Sequence, residues 1–156
     1  MTNKELTEII ESNKLIAEFM GLEYWEIKGE LCTYGEWIKK DNTFECVYEG
    51  NKPPPYDHDW NWLMGVVEKI ENLVDSDNNF TSLPKFIIES GFVRVTACIG
   101  YISNKLDLNY TYSDFKGFGG LVRAESNFDT KTKLEATYKA TIEFIKYYNE
   151  WKKKNS

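Results

Sequence analysis

Arginine is nearly absent from this sequence. Of its 19 basic residues only Arg94 and Arg123 are arginine, and the rest are lysine. Because 25 acidic residues oppose them, the formal net charge is −6. Binding to duplex nucleic acid draws on clustered Lys and Arg that release counterions, so that class is disfavoured. An anionic membrane surface is disfavoured on the same ground. Histidine occurs once, at His58, and cysteine three times, at Cys32, Cys46 and Cys98, with no CxxC pair. A zinc centre needs more such ligands at close spacing, so no metal and no cofactor are expected. Unpaired thiols fit a reducing compartment, where Cys serves as a small hydrophobe. The longest apolar run, Trp62–Val67, falls far short of the roughly 20 residues of a spanning helix. The opening stretch, Met1–Glu8, carries acids where a secretory leader would be basic and then apolar. These absences together predict a soluble cytoplasmic protein, read as a single domain over residues 1–156.

Aromatic residues are plentiful, at 15% of the chain with 5 Trp, 10 Tyr and 9 Phe. Such a stock builds a rich core or a platform for planar ligands. Three stretches carry helical spacing. Leu6, Ile9, Ile10, Ile16, Phe19 and Met20 predict a helix over 3–20, with Thr2 or Asn3 as N-cap and Gly21 beyond its end. Trp60, Leu63, Met64, Val67, Ile70 and Val74 predict a central helix over 57–74, entered from the stiff Pro53-Pro54-Pro55 segment. Leu134, Tyr138, Thr141, Ile145 and Tyr148 predict a C-terminal helix over 130–153, opened by the capping box Thr132–Glu135.

Between the helices the period changes to two. Segments 23–27, 31–38 and 43–48 read as antiparallel strands. Asp75–Pro84 reads as a polar loop and Lys85–Glu89 as a strand. Val93, Val95, Ala97 and Ile99 alternate with Phe92, Arg94, Thr96 and Cys98. Leu106, Leu108, Tyr110 and Tyr112 alternate with polar residues, which predicts a hairpin with one buried face. Gly117–Gly120 reads as a turn before a short strand over 121–125. Helices separated by groups of strands predict an α+β domain whose antiparallel sheet packs with about three helices.

Candidate chemistry is sparse. His58, flanked by Asp57 and Asp59, has the makings of a carboxylate-held general base, or equally of a capping cluster at a helix start. Cys98 has no signature around it that would make it a nucleophile. The glycines around Phe118 and Gly119 lead into another strand, whereas a dinucleotide loop leads into a helix. With Arg123 nearby, their bare N–H groups could still receive an anion. Arg94 could do likewise from a strand, with Tyr101, Tyr110, Tyr112 and Phe118 as stacking partners. Trp60, Trp62 and His58 are the other ligand-binding candidates. No catalytic residue emerges.

One resemblance stands beside this reading. Tyr56–Glu71, reading YDHDWNWLMGVVEKIE, resembles a YHxxWxWLMxVVEKIE pattern of small hypothetical proteins of Bacteroidetes phages and prophages. Lys133–Asn149 is similar to their KxEAxYxAxxEFIxWYN ending, and Asn13–Gly21 to their opening helix. Asp57 separates Tyr56 from His58, and Gly65 stands where Pro is frequent. The resemblance implies a phage or prophage origin and assigns no activity. Together with the aromatics and the two arginines it leads to the expectation of a non-catalytic anti-defence protein in host cytoplasm. That protein would sequester a nucleotide-derived immune signal. A module that masks a host protein is the alternative, and association of copies of the chain is compatible with either.

Overall fold

Thr2 starts the first helix by the reciprocal bonding expected of a capping box. Its hydroxyl accepts the Glu5 N–H at 3.3 Å, and the Glu5 carboxylate accepts the Thr2 N–H at 2.6 Å. The helix, α1, runs Asn3–Phe19 and buries Asn13, Ile16 and Ala17. Gly21 turns the chain out of it with φ +83°, a region in which a side chain would be strained. The computed structural model describes residues 2–41, 43–73, 80–89, 92–99, 105–112, 129–130 and 132–155. The chain falls into two compact units, residues 1–62 and 63–156, and the architecture is α+β.

In the first unit, α1 packs against a three-stranded antiparallel sheet of order β1-β2-β3. Its strands are β1 (Leu22–Lys28), β2 (Thr33–Lys39) and β3 (Cys46–Glu49). Leu22 opposes Lys39, Tyr24 opposes Trp37, and Trp25 opposes Glu36. Leu22, Trp37 and Ile38 are buried. The alternation over Thr43–Tyr48 predicts a longer third strand than the one observed. Asp41 accepts both the N–H and the hydroxyl of Thr43, the Asx geometry of a tight turn. Phe44 then takes a positive φ of 50°, so the strand begins only at Cys46.

The second helix, α2, spans Trp60–Glu71, shorter than the predicted 57–74. Tyr56–His58 form turns instead, with the His58 and Asp59 N–H groups donating to the Pro55 carbonyl. Asp59 is the residue that caps, accepting the Asn61 N–H at 2.8 Å. Leu63, Val66, Val67 and Ile70 form its buried stripe, while Met64, predicted on that stripe, is exposed.

The second unit holds a four-stranded sheet of order β4-β5-β6-β7. Its strands are β4 (Phe80–Glu89), β5 (Phe92–Ile99), β6 (Lys105–Tyr112) and β7 (Asp129–Thr130). β4 extends through Phe80–Pro84, a stretch that reads as loop. As the edge strand it tolerates Pro84, and register shifts flank Ser82. β5 and β6 pair antiparallel with Val93 opposite Tyr110 and Val95 opposite Leu108, as their alternation predicts. β6 and β7 pair in parallel, so this sheet is mixed. The last helix, α3 (Lys133–Asn155), packs on β5, β6 and β7. Residues 130–132, placed in the helix by periodicity, lie before it: Thr130 ends β7, and the Thr132 hydroxyl caps by accepting the Glu135 N–H. Thr137 and Thr141 are fully buried, and each hydroxyl donates to a carbonyl one turn back, which satisfies it without a tertiary partner. The short strand predicted over 121–125, the glycine turn before it and Val74 lie outside the described residues.

Candidate functional site

The segment that leads into α2 carries His58, Trp60 and Trp62, all within the first unit. His58 Nδ1 lies 2.9 Å from the Asp57 carboxylate, and the imidazole is largely exposed. The same carboxylate accepts the Asn13 side-chain N–H at 2.6 Å. Burial pushes the Asp57 carboxyl up, but the bonds from Asn13 and His58 outweigh it, and the net direction is below the ordinary carboxylate value. This row orients an imidazole, as a general base requires. Among the described residues no Ser, Thr or Cys nucleophile is bonded to the ring. Trp62 meets Tyr48 and Tyr56 edge-on, with centroids at 5.5 Å and 5.9 Å. Its ring is thus engaged by two tyrosines, one of them, Tyr56, fully buried.

The remaining sequence candidates are only partly placed. Arg94 pairs with Asn109 and Tyr110 with Val93, so the Arg94 and Tyr110 positions alternate in the ladder and fall on opposite faces of the sheet. Tyr112 holds a position in β6 beside β7. Tyr101, Phe118, Gly119 and Arg123 lie outside the described residues. Among the described residues, no group of three His, Cys, Asp or Glu is placed to hold a metal ion. Cys32 and Cys46 are free and exposed, so neither serves as a buried small hydrophobe; the Cys98 side chain is outside the described set.

A second arrangement was missed by sequence reasoning. Strand alternation and the β1–β2 register put Glu23, Trp25 and Ile27 on one face with Ile38, Glu36 and Tyr34. Across β3 that face continues through Glu49, opposite Glu36, and Cys46, opposite Ile38. Trp25 and Tyr34 are each 43% exposed and Phe44 is 62% exposed. The Phe44 ring lies 5.9 Å from Trp25. Leu31, in the loop between β1 and β2, is exposed as well. Adjacent Tyr24 and Trp25 were the available signal: in a strand, neighbours point to opposite faces, so one of two consecutive large aromatics faces away from the core. Tyr24, on the other face and 36% exposed, lies 5.4 Å from buried Trp37.

This face is also negative. Glu36 and Glu49 are directly opposed, and neither has an ion-pair partner among the described residues. Lys39, on the other face, bonds Glu45 at 2.6 Å. The Cys46 thiol registers the field. Loss of surrounding water pushes it up, and the Glu36 and Glu49 carboxylates push it further.

No protein-family model, curated protein or solved structure matches the chain. Among the described residues no helix is long and apolar enough to cross a membrane.

Proposed function

We propose that this chain acts by binding a protein partner through the Trp25 face of its first sheet. The observation that carries the reading is the exposure of Trp25, Tyr34 and Phe44 together on one side of β1–β3. Large aromatics left in water on a sheet are the anchors of protein interfaces, since they bring much contact area at small entropic cost. Phe44 adds to this. A bulky residue in the left-handed region costs of order 1–3 kcal/mol, and here that conformation presents an apolar ring to solvent. The phage-like resemblance gives the finer version, in which the partner is a host defence protein and masking it is the effect.

Sequestration of a nucleotide-derived signal is the competing reading. It needs Arg94 and Arg123 to supply charge and the tyrosines to stack. The Trp25 face is a poor substitute, because Glu23, Glu36 and Glu49 repel phosphate.

The test is quantitative affinity purification from the cells in which the protein acts. Wild type, a Trp25→Ala/Phe44→Ala variant and His58→Ala serve as baits. A partner held by wild type and His58→Ala and lost by the aromatic variant is the expected result. Equal recovery by all three overturns it. A nucleotide that co-purifies in native mass spectrometry moves the reading to sequestration.

A further inference from the structure

We propose that the Trp25 face docks a partner segment bearing arginine or lysine, with the Glu36–Glu49 carboxylates receiving the cation and Trp25 and Phe44 covering it. The inference rests on the binding reading above and adds the chemistry of the partner.

Like charges directly opposite in an antiparallel pair destabilise it, so the Glu36–Glu49 register is a cost that no ion pair among the described residues offsets. The strand lysines do not relieve it. Lys28 and Lys39 hold positions on the other face of the sheet, where Tyr24 and Trp37 lie. Glu23 adds a third carboxylate to the Trp25 side. A cation between two carboxylates turns the repulsion into charge-assisted hydrogen bonds. Trp25 opposes Glu36, so its indole borders the same spot, and an indole face attracts a cation. Guanidinium suits the place better than ammonium, because it is planar, forks to carboxylates and stacks on rings. The same field excludes anionic occupants, phosphate and acidic lipid alike. A second copy of this chain is a weaker complement, since it is itself acidic and holds only two arginines.

A short peptide of alternating arginine and tyrosine, titrated against the full chain and followed by amide chemical shifts, tests the proposal. Shifts should concentrate on β1, β2, β3 and Phe44. Affinity should fall about tenfold or more in Glu36→Gln/Glu49→Gln, which keeps shape and removes both charges. Lysine in place of arginine should bind more weakly, and glutamate in place of arginine should not bind. Glu8→Gln/Glu11→Gln on α1 removes the same net charge elsewhere and should bind as wild type does. Thermal melts confirm that each variant is folded, and the paired glutamine variant should melt no lower than wild type. Equal binding by that variant and wild type overturns the cation, as does self-association through this face in place of peptide binding. If Trp25→Ala/Phe44→Ala then still weakens binding, the aromatic docking reading survives. If neither variant weakens it, both readings fall.

Discussion

The Asn13 amide in α1 donates to the Asp57 carboxylate at 2.6 Å, joining the N-terminal helix to the approach of α2 across 44 positions of sequence. Asn13 is 5% exposed, and its carbonyl oxygen has no hydrogen-bond partner, so the buried side chain is spent on this one contact. Asn13→Ala leaves the half-buried carboxylate with one donor fewer and should cost about 1–3 kcal/mol. The pH dependence follows from the sign. A carboxyl held below its ordinary value stabilises the fold above that value and ceases to do so as pH falls through the depressed one. Urea midpoints measured from neutral pH into the range below the ordinary value of 3.8 should therefore decline, and Asp57→Asn should flatten that decline. Equal acid slopes in wild type and Asp57→Asn would remove Asp57 from the account.

Tyr24 lies over Gly35. A Cβ built on Gly35 would sit 2.4 Å from the Tyr24 ring and 2.8 Å from the Asn51 side-chain oxygen. Gly35→Ala should thus expel the ring and loosen its 5.4 Å contact with Trp37, at a cost of about 0.5–1.5 kcal/mol from the aromatic pair alone. In a Tyr24→Ala background the larger clash is gone. Alanine is then favoured over glycine in a strand by roughly 0.5–1 kcal/mol, which offsets the remaining contact with Asn51. A double-mutant cycle on denaturation midpoints reads this coupling, and additive effects would refute it.

The helices were legible because their apolar stripes repeat without interruption. Leu63, Val67, Tyr138 and Ile145 are buried as the spacing predicts. The β5–β6 hairpin was legible for the same reason, since its two apolar sets meet partner to partner. β3 was overextended because Thr43–Tyr48 alternates as a strand does, while the Asp41 turn and the positive φ of Phe44 decide the backbone there. Phe80–Pro84 reads as loop because it closes the polar run that starts at Asp75, and only the sheet order shows that β4, an edge strand that tolerates Pro84, takes it in. The Trp25 face was hidden for a different reason. Glu36 and Glu49 lie in separate strands, and their opposition exists only through the β2–β3 register. Without the register Tyr110 reads as a stacking partner for Arg94, and ladder alternation sets their positions on opposite faces.

Core truncations test the helix faces. Leu63 and Ile145 are fully buried, so Leu63→Ala and Ile145→Ala should each cost about 2–5 kcal/mol. Met64→Ala, one residue along α2 on its exposed side, should be nearly silent. Chemical denaturation of the three variants checks the assignment. A Met64→Ala loss as large as that of Leu63→Ala would mean that the stripe is misplaced.

Cys46 gives a chemical readout of the Glu36–Glu49 pair that needs no partner. The thiolate is the nucleophile in alkylation, and this thiol is pushed above its ordinary value, first by loss of water and then by the two carboxylates. Near neutral pH, alkylation of Cys46 by iodoacetamide should therefore be slow for an exposed cysteine. Glu36→Gln/Glu49→Gln removes the repulsion and leaves the strand in place, so the rate should rise and its pH midpoint should move down. Cys32 is also exposed and free, but outside β1–β3, and serves as the internal standard. Added salt should raise the wild-type Cys46 rate toward that of the variant, because screening weakens exposed charges. Peptide mass spectrometry of the two cysteines over time measures the ratio of rates. If that ratio is the same in wild type and variant at low salt, the carboxylates do not face Cys46, and the negative face proposed for docking is not built as described.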